Sequence, residues 1–582
     1  MDRKWDLSQL YTSFKDQKFI QDIEHVKEQL IEFEKYPNLD KTEENLIQYL
    51  KQENLLSDTI EKLFSYVNLV MNADTTDDLA MKNASVLEDI LASFANTNAK
   101  IQRWIADFDF QQFQNQYILE HLFILCEMKE QSQYLLDNES EAVLANMRIN
   151  GSSAWSKYKD QLISSMTVFI DDKEYPLTEV LNMAYSKDKA IRKKAYEAEI
   201  ASYQKVEQGV ASALNAIKGE SIAVAKMRGY GSVLEKTLKD SRMTQKTLDA
   251  LLKTIQKSIP MFEKYFQVKA QHLGYAKGLP WYEMYAPIMN IQSEYPYEKG
   301  CDFVVKQFYS FSKNLGDYAQ KAIQNNWIDV YPRKSKVGGA FCQNLHCIQE
   351  SRFLLNYGND LSDVITMAHE LGHGFHGHCL NQQTALNAEY PMPIAETAST
   401  FCETIVKKAA LKTATPQQKL MILENELSDC AQVIVDIYSR FLFESRFIQK
   451  REKGPLSVDE IKQLMIEAQK EAYGKGLNHH QLHPYMWTWK PHYYEAEYAF
   501  YNFPYAFGLL LAKGLYALYQ KQGDSFALTY EKFLSLTGQM NLEDVGKSIG
   551  IDLQDENFWQ NSIQMIADDL EQFYQLLNQI SD

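Results

Sequence analysis

Between Trp5 and about Gln131 apolar residues recur near helical spacing, as at Leu50, Leu55, Ile60, Leu63, Val67 and Val70, in charged surroundings almost free of Pro and Gly. A run of long helices is expected there. The same texture returns from Leu177 to His272, where Lys187 to Lys205 mixes opposite charges with Ala in the manner of a solvated helix face. There is no fixed-period repeat and no low-complexity tract, which disfavours a solenoid. With 45% hydrophobic residues, and only 24 Gly and 14 Pro among 582 positions, the chain is composed to bury a core rather than to stay disordered.

One stretch departs from the helical pattern. From Trp327 to Tyr357 short apolar runs (Ile328, Val330, Tyr331, then Phe353, Leu354, Leu355) are bounded by Pro332 and Gly358 and interrupted by Gly338 and Gly339, which predicts short strands joined by a glycine turn. Helices are expected again over 362–379, 394–412 and 417–450. The fold class that follows is mostly α, with a small sheet near the middle of the chain.

Charge and cysteine usage exclude several classes of function. A net charge of −17 repels nucleic acid and anionic lipid surfaces. The apolar stretch from Phe503 to Ala512 ends at Lys513, far short of the roughly 20 residues that span a bilayer. The segment from Met1 to Asp16 has no apolar run of the kind an export signal needs. Seven scattered cysteines without a CxxC pair fit neither a disulfide framework nor a cysteine zinc knuckle. A soluble protein of the reducing cytoplasm is expected, with no nucleic-acid or membrane partner.

Eight of the twelve histidines lie between His369 and His492, and within that span stands His369-Glu370-Leu371-Gly372-His373. Residues four apart share a helix face, so both imidazoles can reach one metal ion with Glu370 beside it. Val364, Ile365, Ala368, Leu371 and Phe375 supply the helical periodicity, and Asp360 or Ser362 can cap the first turn. Zinc suits such a site, since a catalytic zinc takes three protein ligands and leaves one position open. His376 is a poor third ligand because a triad from one short helix would splay. Glu396 and Glu403 offer carboxylates on one face of a helix that Pro393 is placed to start; one can bind the ion while the other hydrogen-bonds a ligand imidazole. A histidine pair that merely packs in or on the helix is the alternative.

The chain resembles the oligoendopeptidase F family of zinc metallopeptidases, relatives of thimet oligopeptidase. The matching residues are Trp5-Asp6-Leu7 with Leu10-Tyr11, Gly151-Ser152-Ser153-Ala154-Trp155, Asn356-Tyr357, His369 to His376, Ile394 to Ser399, and Tyr501-Asn502-Phe503-Pro504-Tyr505-Ala506-Phe507-Gly508. The resemblance implies one zinc ion per chain held by His369, His373 and Glu396, with Glu370 as general base and Glu403 behind a ligand histidine. It implies transition-state stabilisation by a histidine and tyrosines of this region, His492 and Tyr498 first, then Tyr501, with Tyr494 and Tyr505 as further candidates. It also implies an endopeptidase acting inside short oligopeptides and not on folded proteins, with a deep cleft between an amino-terminal helical domain (1–200) and a catalytic domain (201–582). Gly338, Gly339, Ala340 and Phe341 are expected to lie along substrate, because glycines permit close approach and a strand edge can pair with an extended peptide. The rival readings are a carboxypeptidase using the same zinc helix and a helical scaffold without turnover.

Overall fold

The computed structural model describes residues 3–289 and 294–581. Helices dominate, and two small sheets complete the secondary structure among the described residues. The chain forms two compact units, each assembled from three separate stretches.

The first unit comprises residues 3–141, 294–410 and 515–551. Its opening helices are α1 (Gln17–Phe33), α2 (Glu43–Ala73) and α3 (Asp78–Ala106). Each starts at a side chain that accepts from otherwise unpaired N–H groups: Asp16 from Lys18, Thr42 from Asn45, and Asp77 from Leu79 and Ala80. Phe19, Val26, Leu30 and Phe33 form the buried stripe of α1 and pack with Tyr49, Leu50 and Trp104. Leu345 and Leu354 join the same core from the sheet.

That sheet contains the strands expected between Trp327 and Tyr357. Here β3 is Ile328–Asp329, β4 is Phe341–Leu345 and β5 is Glu350–Leu354. The strand order is β3-β5-β4, with β5 parallel to β3 and antiparallel to β4. β4 is therefore an edge strand. Gly339, at φ +81°, makes the left-handed turn that delivers the chain into it, a conformation other residues adopt only with strain.

The second unit comprises residues 142–289, 411–514 and 552–581. It holds a hairpin that the sequence reading did not anticipate, β1 (Thr167–Ile170) against β2 (Lys173–Pro176). The turn residues Asp171 and Asp172 sit at φ 50° and 62°, as a type I′ turn requires, but without the Gly that usually announces one. Val168, Leu214, Ile217, Phe443, Trp487 and Tyr493 are among the buried residues of this unit's core. Buried ion pairs stitch its helices, among them Lys218–Glu444 at 2.7 Å and Lys269–Glu424 at 2.9 Å.

The helix expected over 417–450 is interrupted. It runs as Pro416–Ala431 and Ile437–Arg451, joined by a π turn at Gln432–Asp436. Among the described residues no helix is long and apolar enough to cross a membrane.

Candidate metal centre

The helix bearing the two histidines spans Leu361–Leu380. Asp360 caps it by accepting from the Ser362 N–H, and Asp363 returns the bond by accepting from the Asp360 N–H. Val364, Met367, Ala368, Leu371 and Phe375 make its buried stripe. Glycine inside a helix costs roughly 1 kcal/mol relative to alanine, and Gly372 has a steric reason to be there. A Cβ on it would lie 2.7 Å from the Ala398 carbonyl oxygen and 2.7 Å from the Ser399 Cα. The helix Met392–Thr413 is thus drawn against the histidine helix one residue from His373, and Glu396 comes within reach.

The Nε2 atoms of His369 and His373 are 3.1 Å apart, and Oε2 of Glu396 lies 3.4 Å from the first and 3.6 Å from the second. These three residues form a group able to hold a metal ion, each offering one ligand atom. Glu403 occupies a different place: its Oε1 is hydrogen-bonded to Nδ1 of His369, and its Oε2 accepts from Lys407 at 2.7 Å. With Nδ1 engaged, Nε2 of His369 is left to face the group.

The electrostatics suit a cation. Although burial opposes it, hydrogen bonds that Glu396 and Glu403 accept from His369 push its pKa up to about 10, while burial and neighbouring His369 push His373 down to about 4. The pocket therefore stabilises one positive charge between two ring nitrogens and a carboxylate. Two nitrogens and one oxygen are also a donor set that zinc takes in catalytic sites. Burial raises Glu370 to about 7, with His369 opposing and Glu396 and Glu403 reinforcing the rise. A carboxylate poised there can accept a proton and return it near neutral pH.

His376 faces elsewhere. Its ring stacks on Tyr390 at 4.0 Å and its Nε2 is 2.8 Å from the Thr537 hydroxyl, so it packs the interior. Phe341 begins the edge strand β4, and Gly338, Gly339 and Ala340 form the approach to it. A Cβ on Gly338 or Gly339 would meet nothing within 4 Å. Asn344 of β4 donates to the His373 carbonyl at 3.2 Å, which ties this strand to the histidine helix.

Within the second unit, His492, Tyr501 and Tyr505 come together. The His492 and Tyr501 rings stack at 4.8 Å and 13°, and Tyr505 is 6.1 Å from His492. Tyr498 is 59% exposed and makes no ring contact with His492 among the described residues. Tyr494 is buried and donates its hydroxyl to the Trp487 carbonyl at 2.8 Å, which spends it structurally. The loop between is firmly held. Ser221, Lys236 and Thr237 donate to the carbonyls of Ala496, Glu497 and Ala499, and the Phe500 N–H donates to Glu444. Phe500 sits at φ +57°, a strained position for a large side chain, and this turn presents Tyr501 to His492.

The sequence profile of peptidase family M3 matches residues 182–565. The chain belongs to peptidase family M3. It is 22% identical over 593 residues to the oligopeptidase PepF of Bacillus subtilis, covering 99% of this chain and 87% of that one. An oligoendopeptidase F homologue of Lactococcus lactis is 23% identical over 98% of this chain and 97% of its own. The solved oligoendopeptidase F of Enterococcus faecium superposes with a TM-score of 0.72 at 18% identity, covering 97% of this chain and 99% of that one.

Several residues around these groups of the M3 chain escaped the sequence reading. Lys407, which holds Glu403, is one helical turn beyond it, and that i, i+4 spacing was a usable signal. Arg440, Asp436 and Glu444 carried none, because they reach the His492 loop only through the fold.

Proposed function

We propose that this protein is a zinc-dependent endopeptidase that hydrolyses internal bonds of short oligopeptides and leaves folded proteins intact. The observation that carries the reading is the convergence of His369, His373 and Glu396 on one point beside the buried Glu370. His369, His373 and Glu396 would hold the ion, and Glu403 would orient His369. A bound zinc supplies a Lewis acid and lowers the pKa of water towards about 7.

The remaining steps belong to the chain's own residues. Glu370 takes the proton of the attacking water and afterwards delivers it to the leaving amine. The hydroxyl of Tyr498, Tyr501 or Tyr505 donates to the oxygen on which negative charge develops. An extended peptide adds to the free edge of β4, with Gly338, Gly339 and Ala340 admitting its backbone closely. The reading places the enzyme in the cytoplasm, in keeping with seven cysteines that all remain free thiols.

Two measurements test this together: metal analysis of the purified protein, and mass spectrometry of products from short peptides blocked at both ends, with and without a chelator. One zinc per chain and chelator-sensitive internal cleavage are expected. Cleavage only of peptides with a free carboxyl end would replace the reading with a carboxypeptidase, and absence of both zinc and turnover would remove it.

A further inference from the structure

His492 is half-buried in the second unit, and its Nδ1 lies 3.0 Å from Oδ1 of Asn502. The same oxygen accepts from Nη1 of Arg440 at 3.0 Å. Arg440 is itself 8% exposed and is ion-paired to Asp436, which ends the π turn and also accepts from the Tyr473 hydroxyl at 3.2 Å. A guanidinium can only donate. The group facing Arg440 must therefore be the amide oxygen of Asn502, because the flipped amide would set N–H against N–H at 3.0 Å. That orientation leaves Nδ2 of Asn502 buried without a hydrogen-bond partner among the described residues, which is unfavourable. Arg440 imposes it regardless. With Oδ1 an obligate acceptor, Nδ1 of His492 must carry the hydrogen.

We propose that Arg440 and Asn502 are positioning residues that fix His492 as its Nδ1–H tautomer, so that Nε2 presents a lone pair and accepts a hydrogen bond from a backbone N–H of the peptide substrate. The substrate half of this statement rests on the function proposed above; the tautomer half does not. A neutral Nδ1–H imidazole has no hydrogen on Nε2 to give to an oxyanion. To donate there it must first become imidazolium. Burial, the Arg440 guanidinium and Lys490 all lower its pKa, while Asn502 pulls the other way. Among the described residues, Tyr501 and Tyr505 are the other titratable groups whose rings lie against it. Donation to the oxyanion accordingly falls to the tyrosine hydroxyls.

The test is nitrogen-15 NMR of the full-length protein labelled at histidine, with the His492 signals identified by their loss in His492→Gln. At neutral pH the long-range proton–nitrogen correlations are expected to show a protonated Nδ1 and a bare Nε2. A protonated Nε2 with a bare Nδ1 would overturn the proposal, and this reading needs no substitution at Asn502 or Arg440. Asn502→Asp keeps the acceptor and adds charge, so it should retain the Nδ1 hydrogen and raise the His492 pKa by about one pH unit. Asn502→Leu removes the acceptor and should yield a mixture of tautomers, with kcat/KM on a short peptide about tenfold lower or more and metal content unchanged. An unmixed Nδ1–H signal in that variant would overturn the role of Asn502. If His492→Gln cleaves peptide at the wild-type rate, the substrate half falls while the tautomer result stands.

Discussion

Oε2 of Glu403 accepts from Nζ of Lys407 at 2.7 Å, on the carboxylate whose other oxygen is hydrogen-bonded to His369. The lysine cation and His369 together outweigh burial and hold Glu403 down at about 2. A permanently ionised carboxylate thus stands behind one histidine, while Glu396 faces both.

Removal of the two carboxylates should therefore differ in kind. Glu396→Ala is expected to be isolated without zinc, since it deletes one of three donors. Glu403→Ala should bind zinc about 10- to 100-fold more weakly and recover activity when zinc is added. Metal content after dialysis against graded chelator measures both, and the opposite pattern would exchange the two assignments.

Glu370→Gln keeps the shape of the side chain and removes its capacity to take a proton. A loss of about 100- to 10,000-fold in kcat is expected, with zinc content unchanged. Near wild-type turnover in this variant would end the general-base assignment.

Gly372→Ala adds one methyl where two helix backbones meet. Alanine favours a helix by roughly 1 kcal/mol, yet its Cβ would stand 2.7 Å from the Ala398 oxygen and force the helices apart. The net expectation is destabilisation of about 1–3 kcal/mol together with weaker zinc binding, because Glu396 moves with the displaced helix. Denaturant unfolding and metal titration would show it; an unchanged midpoint with full zinc affinity would mean the contact is looser than described.

Replacing a tyrosine hydroxyl should affect the rate and not the binding. Tyr498→Phe and Tyr501→Phe are each to be compared with wild type for kcat, KM and zinc content. The residue whose hydroxyl serves the oxyanion should lose about 100-fold or more in kcat with KM nearly constant. If both retain full turnover, Tyr505 takes the role, and the same measurement on Tyr505→Phe decides it.

Protein substrates should resist cleavage. Pairing with β4 requires a stretch of extended backbone, and a folded domain can release one only by unfolding at a cost of about 5–15 kcal/mol. A native globular protein cut as fast as a short peptide at equal molar concentration would contradict the size limit.

Much of this could be read from local patterns. Helical periodicity announced α1, α2 and α3, and the spacing of His369 and His373 placed two imidazoles on one helix face, because both depend on residues within a few positions of each other. The glycines at 338 and 339 likewise marked the turn into β4. The hairpin at 167–176 was missed because two aspartates adopt the left-handed turn that glycine usually signals. Spacing alone does not separate Glu396 from Glu403, since seven residues apart they share a face; in the fold Glu396 lies near both Nε2 atoms while Glu403 is bonded to Nδ1 of His369, a difference that arises where Gly372 lets one helix lie against the next. The state of His492 was equally beyond the sequence. It depends on Arg440, 52 positions away, whose donors dictate which way the Asn502 amide points, and only the folded chain brings those three side chains together.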